Sequence, residues 1–263
     1  MTTMTSLANR PAWVDLATSD AEGARNFYSQ LFGWEMEVSE DPQYGGYATA
    51  KVAGSGQNSA AGIGPKQDPN MPNVWSLYIG TDDVNALADR VTQAGGTVVA
   101  PPFDVGDQGR MAVFQDPSGA FISAWEAAEM SQFAFGQPNT FGWAELNARG
   151  VANVVPFYEN VFGWTTRLSE FDPAQPPYRE FQHQGESVLG AWEMNPQVPP
   201  EVPSYWQIYF NSDDVDAAHE RALSLGATET LPPQDFPGGR FSILSDPQGA
   251  SFALLKTDPN FSR

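Results

Sequence analysis

Apolar and polar residues alternate along the chain in a rhythm of short strands and amphipathic helices. The apolar stretch 12–18 predicts a strand, and Ser19 or Asp20 can cap a following helix, because a short polar side chain accepts a hydrogen bond from the free amides of a first helical turn. Apolar residues then recur at helical spacing up to Gly33, which suits a left-handed helix end. Three further strand candidates follow at 34–38, 47–52 and 60–64.

The same rhythm then restarts within the first half of the chain. A strand at 75–80 leads to Asp83 as a helix cap, and an apolar helical face runs from there to Gly95. Strand patterns return near 97–99, 110–114 and 121–125. The first half is therefore predicted to be two βαβββ units.

A long internal repeat doubles this arrangement. The segment FYSQLFGW at 27–34 returns as FYENVFGW at 157–164, and DPSGA at 116–120 returns as DPQGA at 246–250. The offset of 130 or 131 residues holds along nearly the whole chain. We therefore predict an α+β protein of four βαβββ units, with domain 1 at 1–130, a linker at 131–140 and domain 2 at 141–263.

Composition narrows the classes of partner. The 263 residues are 41% hydrophobic and carry a formal net charge of −19, which disfavours nucleic acid and anionic membranes as partners. There are no cysteines, and neither a signal-peptide pattern nor an apolar run of membrane-spanning length occurs. We expect a cytoplasmic protein, monomer or homodimer, whose partner is a small molecule.

The motifs quoted above are similar to those of the vicinal oxygen chelate superfamily. This superfamily includes glyoxalase I, extradiol dioxygenases, and bleomycin- and fosfomycin-resistance proteins. The doubled form with a Trp-x-Asp/Glu-Leu opening resembles an actinobacterial group that includes a mycobacterial glyoxalase-like antigen. The resemblance implies two tandem glyoxalase-like domains with U-shaped mixed sheets around cavities. In metal-using members the first and last strands hold a divalent ion through His, Gln or Glu.

The positions that the resemblance assigns to metal ligands carry unsuitable side chains here. Only Gln207 among them could bind a metal, and Glu193 is the single further candidate, in the fourth-strand region. The six metal-ligand positions are Trp13, Ser76, Ser123, Trp143, Gln207 and Ala253. We therefore expect no metal and no other cofactor. The candidate residues for binding a small molecule are Trp13, Trp143, Ser76, Gln207, Ser123 and Trp125.

Strand alternation places two acids on the predicted cavity side. If Trp13 faces the cavity then so does Asp15, and Trp143 and Glu145 repeat the arrangement. Burial in an apolar pocket would raise the pKa of such a carboxyl, which makes Asp15 and Glu145 candidate general acids or bases. The alternative is that each carboxylate lies at the solvent-filled mouth of the groove or forms an ion pair with an arginine.

Weaker catalytic candidates recur at equivalent positions. Tyr78 and Tyr209 share the predicted cavity side and could donate a hydrogen bond to a carbonyl group. Arg110 and Arg240 could clamp a carboxylate or enolate oxygen, or simply pair with a neighbouring Asp.

The two histidines do not form a repeated site. His183, near a strand end, is the only plausible imidazole base, and it has no histidine counterpart in the first half. His219 is predicted on the solvated face of a helix.

Three functions remain open, so whether the chain is an enzyme is undecided. The first is a metal-independent binding protein that holds a small, partly apolar metabolite in an aromatic-lined cavity, as sequestering resistance proteins do. The second is a metal-free enzyme of isomerase, lyase or cyclase type that uses Asp15 or Glu145. The third is a glyoxalase-type lyase, dioxygenase or hydroxylase with atypical metal ligands.

Overall fold

A computed structural model describes residues 7–54, 58–129, 133–169 and 177–259. The predicted linker begins with two residues that lie outside these ranges. The first half contains β1 (Pro11–Thr18), α1 (Ala21–Phe32), β2 (Glu35–Val38), a short 3₁₀ helix (Pro42–Tyr44), β3 (Ala48–Lys51), β4 (Ser59–Pro65), β5 (Val74–Gly80), α2 (Val84–Gln93), β6 (Thr97–Val105), β7 (Gly109–Gln115) and β8 (Phe121–Ala127). The second half contains β9 (Phe141–Ala148), α3 (Val151–Phe162), β10 (Thr165–Ser169), β11 (Tyr178–His183), β12 (Glu186–Glu193), β13 (Tyr205–Asn211), α4 (Val215–Ser224), β14 (Thr228–Phe236), β15 (Gly239–Ser245) and β16 (Ser251–Thr257).

Each half forms one mixed sheet of eight strands. The strand order is β2-β3-β4-β1-β5-β8-β7-β6 in the first half and β10-β11-β12-β9-β13-β16-β15-β14 in the second. Pairing is parallel between β1 and β4 and antiparallel between β3 and β4, and the second half repeats this pattern. The predicted α+β class with four βαβββ units is confirmed.

Three of the four helices begin after a capping aspartate, and two of these aspartates, Asp20 and Asp83, are the predicted caps. Asp20, Asp83 and Asp214 each accept hydrogen bonds from amides in the first helical turn. Gly33 adopts the left-handed conformation that ends α1, with φ of 72°. Helix α3 differs, because it begins after Gly150, whose hydrogen side chain cannot cap.

Close packing divides the chain into two compact units that do not coincide with its two halves. Unit 1 comprises Met1–Trp13, Leu77–Ser131 and Ala144–Trp206; unit 2 comprises Val14–Ser76, Gln132–Trp143 and Gln207–Arg263. Unit 1 thus combines α2 with α3, and unit 2 combines α1 with α4. The predicted domain limits follow the repeat, whereas these units follow the packing of helices.

Each unit has a buried tyrosine at the centre of its core. In unit 1 the Tyr158 hydroxyl donates to Asp116 Oδ2 at 2.6 Å and accepts from Trp206 Nε1 at 3.2 Å. In unit 2 Tyr28 donates to Asp246 Oδ2 at 3.0 Å and accepts from the indole of Trp75 at 2.9 Å.

Burial has a direct electrostatic consequence for these tyrosines. Burial, followed by the neighbouring aspartate charge, raises the pKa of Tyr28 and of Tyr158 well above the usual value. Both hydroxyls therefore keep their protons and remain donors. The aspartate in each case belongs to the Asp-Pro-x-Gly turn of the opposite half of the chain.

Candidate functional site

Strand β1 separates its side chains into two faces as the alternation predicts. Val14 and Leu16 are fully buried, whereas Trp13 and Asp15 are half-buried on the other face. In β9, Leu146 is buried and Glu145 is half-buried. The two acids therefore lie on equivalent strand faces.

In the first half, Asp15 is paired with a tyrosine. The Tyr47 hydroxyl donates to Asp15 Oδ2 at 3.4 Å. The Tyr47 ring lies directly over Gly62 and Gly64, and a methyl group added at Gly62 would overlap the Tyr47 hydroxyl. Only the missing side chains of these glycines let the ring lie flat against β4 and reach Asp15.

In the second half, Glu145 is surrounded by aromatic side chains. The Tyr178 hydroxyl donates to Glu145 Oε1 at 2.8 Å. The Tyr178 ring contacts Trp192, with 5.4 Å between the ring centroids. Burial, and then the Glu145 charge, raises the pKa of Tyr205, so the Tyr205 hydroxyl stays protonated beside this carboxylate.

In unit 1, the strand register places Glu145 in a row of residues that runs across four strands. Arg167 lies opposite Glu180, Glu180 opposite Gly190, and Gly190 opposite Glu145. Residues in register share one face of a sheet, so these four form a single row, which we call the Glu145 row. The equivalent row of unit 2, which we call the Asp15 row, consists in the same order of Glu37, Thr49, Gly62 and Asp15.

Glu180 is a buried carboxylate at the centre of a hydrogen-bond network. It accepts from Arg167 Nη2, Ser169 Oγ and Ser187 Oγ at 2.6–2.9 Å. Burial acts to raise the pKa of Glu180, but the hydrogen bonds from Ser187, Arg167 and Ser169 outweigh it and lower the pKa from its ordinary value. Glu180 is therefore a fixed negative charge at neutral pH.

Tyr78 and Tyr209, the predicted hydrogen-bond donors, are both buried among apolar or small side chains. Tyr78 lies in register with Ser123, and both are buried. Tyr209 packs with Trp143 and Ala253 in one apolar cluster. The other predicted ligand-binding side chains, Ser76 and Trp125, are half-buried.

Arg110 and Arg240 lie in ion pairs with neighbouring aspartates. Arg110 Nε is 2.9 Å from Asp104 Oδ1. Arg240 Nε is 2.6 Å from Asp216 Oδ2, and Arg240 Nη1 is 2.8 Å from Asp235 Oδ1. The aspartates are exposed, so this geometry matches the alternative in which each arginine pairs with a neighbouring Asp. The hydrogen bonds that Arg240 donates to Asp216 and Asp235 raise the pKa of its guanidinium.

The side chains at the family's metal-ligand positions do not fit a divalent ion. Indole, hydroxyl and methyl groups occupy most of them, and the remaining one, Gln207, already accepts from Ser251 Oγ at 2.9 Å. Within the ranges described, no group of three or more His, Cys, Asp or Glu residues could hold a metal ion.

Glu193, the further candidate metal ligand, caps a helix in the structure. Its carboxylate accepts from the Gly150 and Val151 amides at 2.6 and 2.9 Å, and so caps α3 where the helix lacks its own capping side chain.

The prediction for His219 was wrong. The ring is 1% exposed and its Nε2 lies 2.9 Å from Glu229 Oε2, because α4 turns this position towards β14. His183 is half-buried, and burial followed by the charge of Arg10 lowers the pKa of its imidazole.

Sequence reasoning missed Tyr47, Tyr178 and the Glu180 network. The two tyrosines are 131 residues apart, which is the offset of the repeat. That signal could have identified them as an equivalent pair. Their contact with the acids could not have been foreseen, since β1 and β3 are joined only through β4.

Comparison with known proteins agrees with this architecture. The Glyoxalase/Bleomycin resistance protein/Dioxygenase superfamily matches residues 10–123, and the Glyoxalase-like domain family matches residues 143–255. A Mycobacterium tuberculosis protein named "Putative glyoxylase CFP32" is 38% identical over 252 residues, which is 95% of each chain. The "Anthracycline biosynthesis protein DnrV" of Streptomyces peucetius is 36% identical over 263 residues, covering 94% of this chain and 92% of DnrV.

Solved structures share the fold at low sequence identity. The Mn(II)-bound glyoxalase of Novosphingobium aromaticivorans has a TM-score of 0.65 at 17% identity, covering 98% of this chain and 87% of the other. The 2,3-dioxygenase LapB of Pseudomonas sp. KL28 has a TM-score of 0.66 at 15% identity, covering 99% and 97%. Among the described helices, none is both long and apolar enough to cross a membrane. The chain belongs to the glyoxalase/bleomycin resistance protein/dioxygenase superfamily, with two such domains in tandem.

Proposed function

We propose that the chain is a metal-independent binding protein for a small, partly apolar organic molecule that carries hydroxyl or carbonyl groups. The observation that carries this proposal is the repeated carboxylate–tyrosine pair. Asp15 with Tyr47 and Glu145 with Tyr178 occupy equivalent positions of the two sheets. A carboxylate accepts from a ligand hydroxyl, and a phenol can both donate and accept, so each pair suits such a ligand.

The surroundings of the pairs favour a flat, apolar ligand body. Tyr47 lies over two glycines, and Tyr178 contacts the indole of Trp192. Aromatic side chains beside a few fixed polar groups are typical of small-molecule sites. Relatives named as anthracycline biosynthesis proteins agree with a polycyclic, hydroxylated ligand.

The side chains at the family's metal-ligand positions support the binding of an organic molecule without a metal. Trp13 and Trp143 offer no metal ligand, and Gln207 is engaged by Ser251. We infer that these positions shape the walls of the binding surface.

Identification of the bound molecule is the direct test. The purified full-length chain is denatured, and the released small molecules are identified by mass spectrometry. Elemental analysis of the same sample measures bound metal. A stoichiometric organic compound without stoichiometric metal is the expected result, whereas one metal ion per domain would contradict the proposal.

Variants then connect the bound compound to the pairs. Glu145→Gln and Tyr178→Phe should lower its occupancy about tenfold, as expected for loss of a hydrogen bond to a charged group. Glu201→Gln is the matched control, because Glu201 is an exposed glutamate of the same unit. Equal occupancy in all three variants would contradict a role for the Glu145–Tyr178 pair.

A metal-free enzyme is the second candidate, and one observation favours it. Glu145 has the phenol of Tyr178 as a hydrogen-bond donor and the protonated phenol of Tyr205 beside it. Isomerase, lyase and cyclase reactions can proceed by general acid–base catalysis, which needs a carboxylate base next to a proton donor. If Glu145→Gln abolishes a turnover of the identified compound but leaves its binding intact, the enzyme is the correct assignment.

A further inference from the structure

Trp192 lies beside Glu145 on the same face of the second sheet. Gly190 lies opposite Glu145 in the parallel pair of β12 and β9, and Trp192 is two residues further along β12. Side chains two residues apart in a strand point to the same side of the sheet. The indole ring also packs against the ring of Tyr178, whose hydroxyl donates to Glu145. Trp192 is therefore held next to this carboxylate.

Tyr205 lies on the other side of Glu145. It begins β13, which neighbours β9 on the side away from β12. The next residue, Trp206, donates to the buried Tyr158 of α3, so Tyr205 points away from that helix. Glu145 acts on this phenol directly, because its charge, after burial, raises the pKa of Tyr205. Tyr205 is thus a neutral aromatic ring close to a negative charge.

These three side chains can be reached from solvent. Tyr205 is 38% exposed, and Glu145 and Trp192 are half-buried, whereas Tyr178 behind them is only 8% exposed. The strands β12 and β13 are two strand spacings apart, which is about 10 Å. An ammonium group that contacts Glu145 between these strands can therefore lie within about 6 Å of both rings, which is the range of cation–π attraction.

The first half carries neither of these two rings at the equivalent positions. The strand register places Gly64 where Trp192 lies in the second half. Val74 begins β5 as Tyr205 begins β13. The repeat therefore conserves the acid and its tyrosine partner, while the aromatic walls belong to Glu145 alone among the two acids.

We propose that the second half binds its ligand through a protonated amino group, which lies against Glu145 between the rings of Trp192 and Tyr205. The inference rests on the proposed small-molecule function and adds the ligand's chemical class. The carboxylate and the negative faces of both rings attract an ammonium group, whereas a neutral hydroxyl group gains only a hydrogen bond. Because the site is partly exposed to water, we expect the charge to improve affinity about tenfold.

Two matched probes measure this preference. At neutral pH 2-naphthylmethylamine carries an ammonium group where 2-naphthalenemethanol carries a hydroxyl, and the flat body is the same. Binding to the full-length chain is followed by isothermal titration calorimetry at about 0.1 M salt, which largely screens the long-range attraction of a chain with a net charge of −19. The wild type should bind the amine about tenfold more tightly than the alcohol.

Variants assign the preference to the carboxylate and to the ring. Glu145→Gln keeps the size of the side chain and removes its charge, so most of the preference should disappear. Tyr205→Leu, a change at an exposed position, should reduce the preference to about threefold, and Tyr205→Phe should restore it because the ring is kept. Glu201→Gln is the matched control, since it removes the same charge from an exposed position of unit 1 and should keep the tenfold preference.

The outcomes separate this inference from the proposed function. If Glu145→Gln keeps the tenfold preference, or if Glu201→Gln loses as much as Glu145→Gln does, the amino-group site is wrong while small-molecule binding stands. If the wild type binds the alcohol as tightly as the amine, or binds neither probe at millimolar concentration, the inference is also wrong. The extraction experiment decides the proposed function by itself.

Discussion

The Tyr158 hydroxyl donates a 2.6 Å hydrogen bond to Asp116, which joins a helix of the second half to the Asp-Pro-x-Gly turn of the first half. The contact lies within unit 1 and is fully buried. The aspartate also accepts from the Ser118 and Ala120 amides and so shapes its own turn. One carboxylate therefore holds both a local turn and a contact between distant parts of the sequence.

Loss of this hydroxyl should destabilise the protein measurably. Tyr158→Phe removes the hydrogen bond to Asp116 Oδ2 and the acceptor of the Trp206 indole N–H, and we expect a loss of about 2 kcal/mol in the free energy of unfolding. Urea denaturation followed by tryptophan fluorescence measures it. Tyr28→Phe is the equivalent change in unit 2 and should cost a similar amount; no loss in either variant would contradict the assigned role.

The packing of Tyr47 against Gly62 predicts a strong coupling between the two positions. Gly62→Ala should displace the Tyr47 ring, break the hydrogen bond to Asp15 and destabilise the chain by roughly 1–3 kcal/mol, as overpacking does. In a Tyr47→Ala background the same change should cost little. A double-mutant cycle of unfolding free energies tests this, and additive effects would show that the contact does not matter.

Glu180 predicts a loss of stability in acid. Its pKa is lowered in the folded chain, so the folded state binds fewer protons than the unfolded state as the pH falls below the ordinary value of 4.5. The stabilisation from Glu180 is therefore complete above that pH and is lost as the pH falls through the folded-state value.

The variant Arg167→Gln/Glu180→Gln tests this pH dependence without leaving a buried charge. Its unfolding free energy should vary less steeply with pH than that of the wild type below pH 4.5. Chemical denaturation at several pH values measures the slopes. Parallel curves for the two proteins would show that Glu180 does not contribute to acid sensitivity.

Chelation should leave the protein unchanged if no metal is bound. Treatment with excess EDTA followed by dialysis is expected to alter neither the melting temperature nor the occupancy of the co-purified organic compound. A fall in the melting temperature that added Mn²⁺ or Zn²⁺ restores would contradict metal independence.

Glu193 supplies a companion test. As a cap of α3 it should contribute about 1 kcal/mol to stability, so Glu193→Ala should lower the unfolding free energy by that amount. Its effect should be the same with and without EDTA. An effect that disappears in EDTA would indicate a metal ligand.

The sequence alone determined the repeat, the α+β class and most element positions. Helical spacing of apolar residues, capping aspartates and Gly33 are local signals, and the fold obeys them because capping and left-handed turns depend only on nearby backbone. Strand alternation also placed Trp13 and Asp15 on one face of β1 correctly.

Only the tertiary structure decided which side chains meet. The contact of Tyr47 with Asp15, and the row from Arg167 to Glu145, depend on the register between strands that are distant in sequence. The burial of His219 depends on how α4 packs against β14. Register and packing are set by long-range complementarity of the whole core, which residue patterns within one segment do not contain.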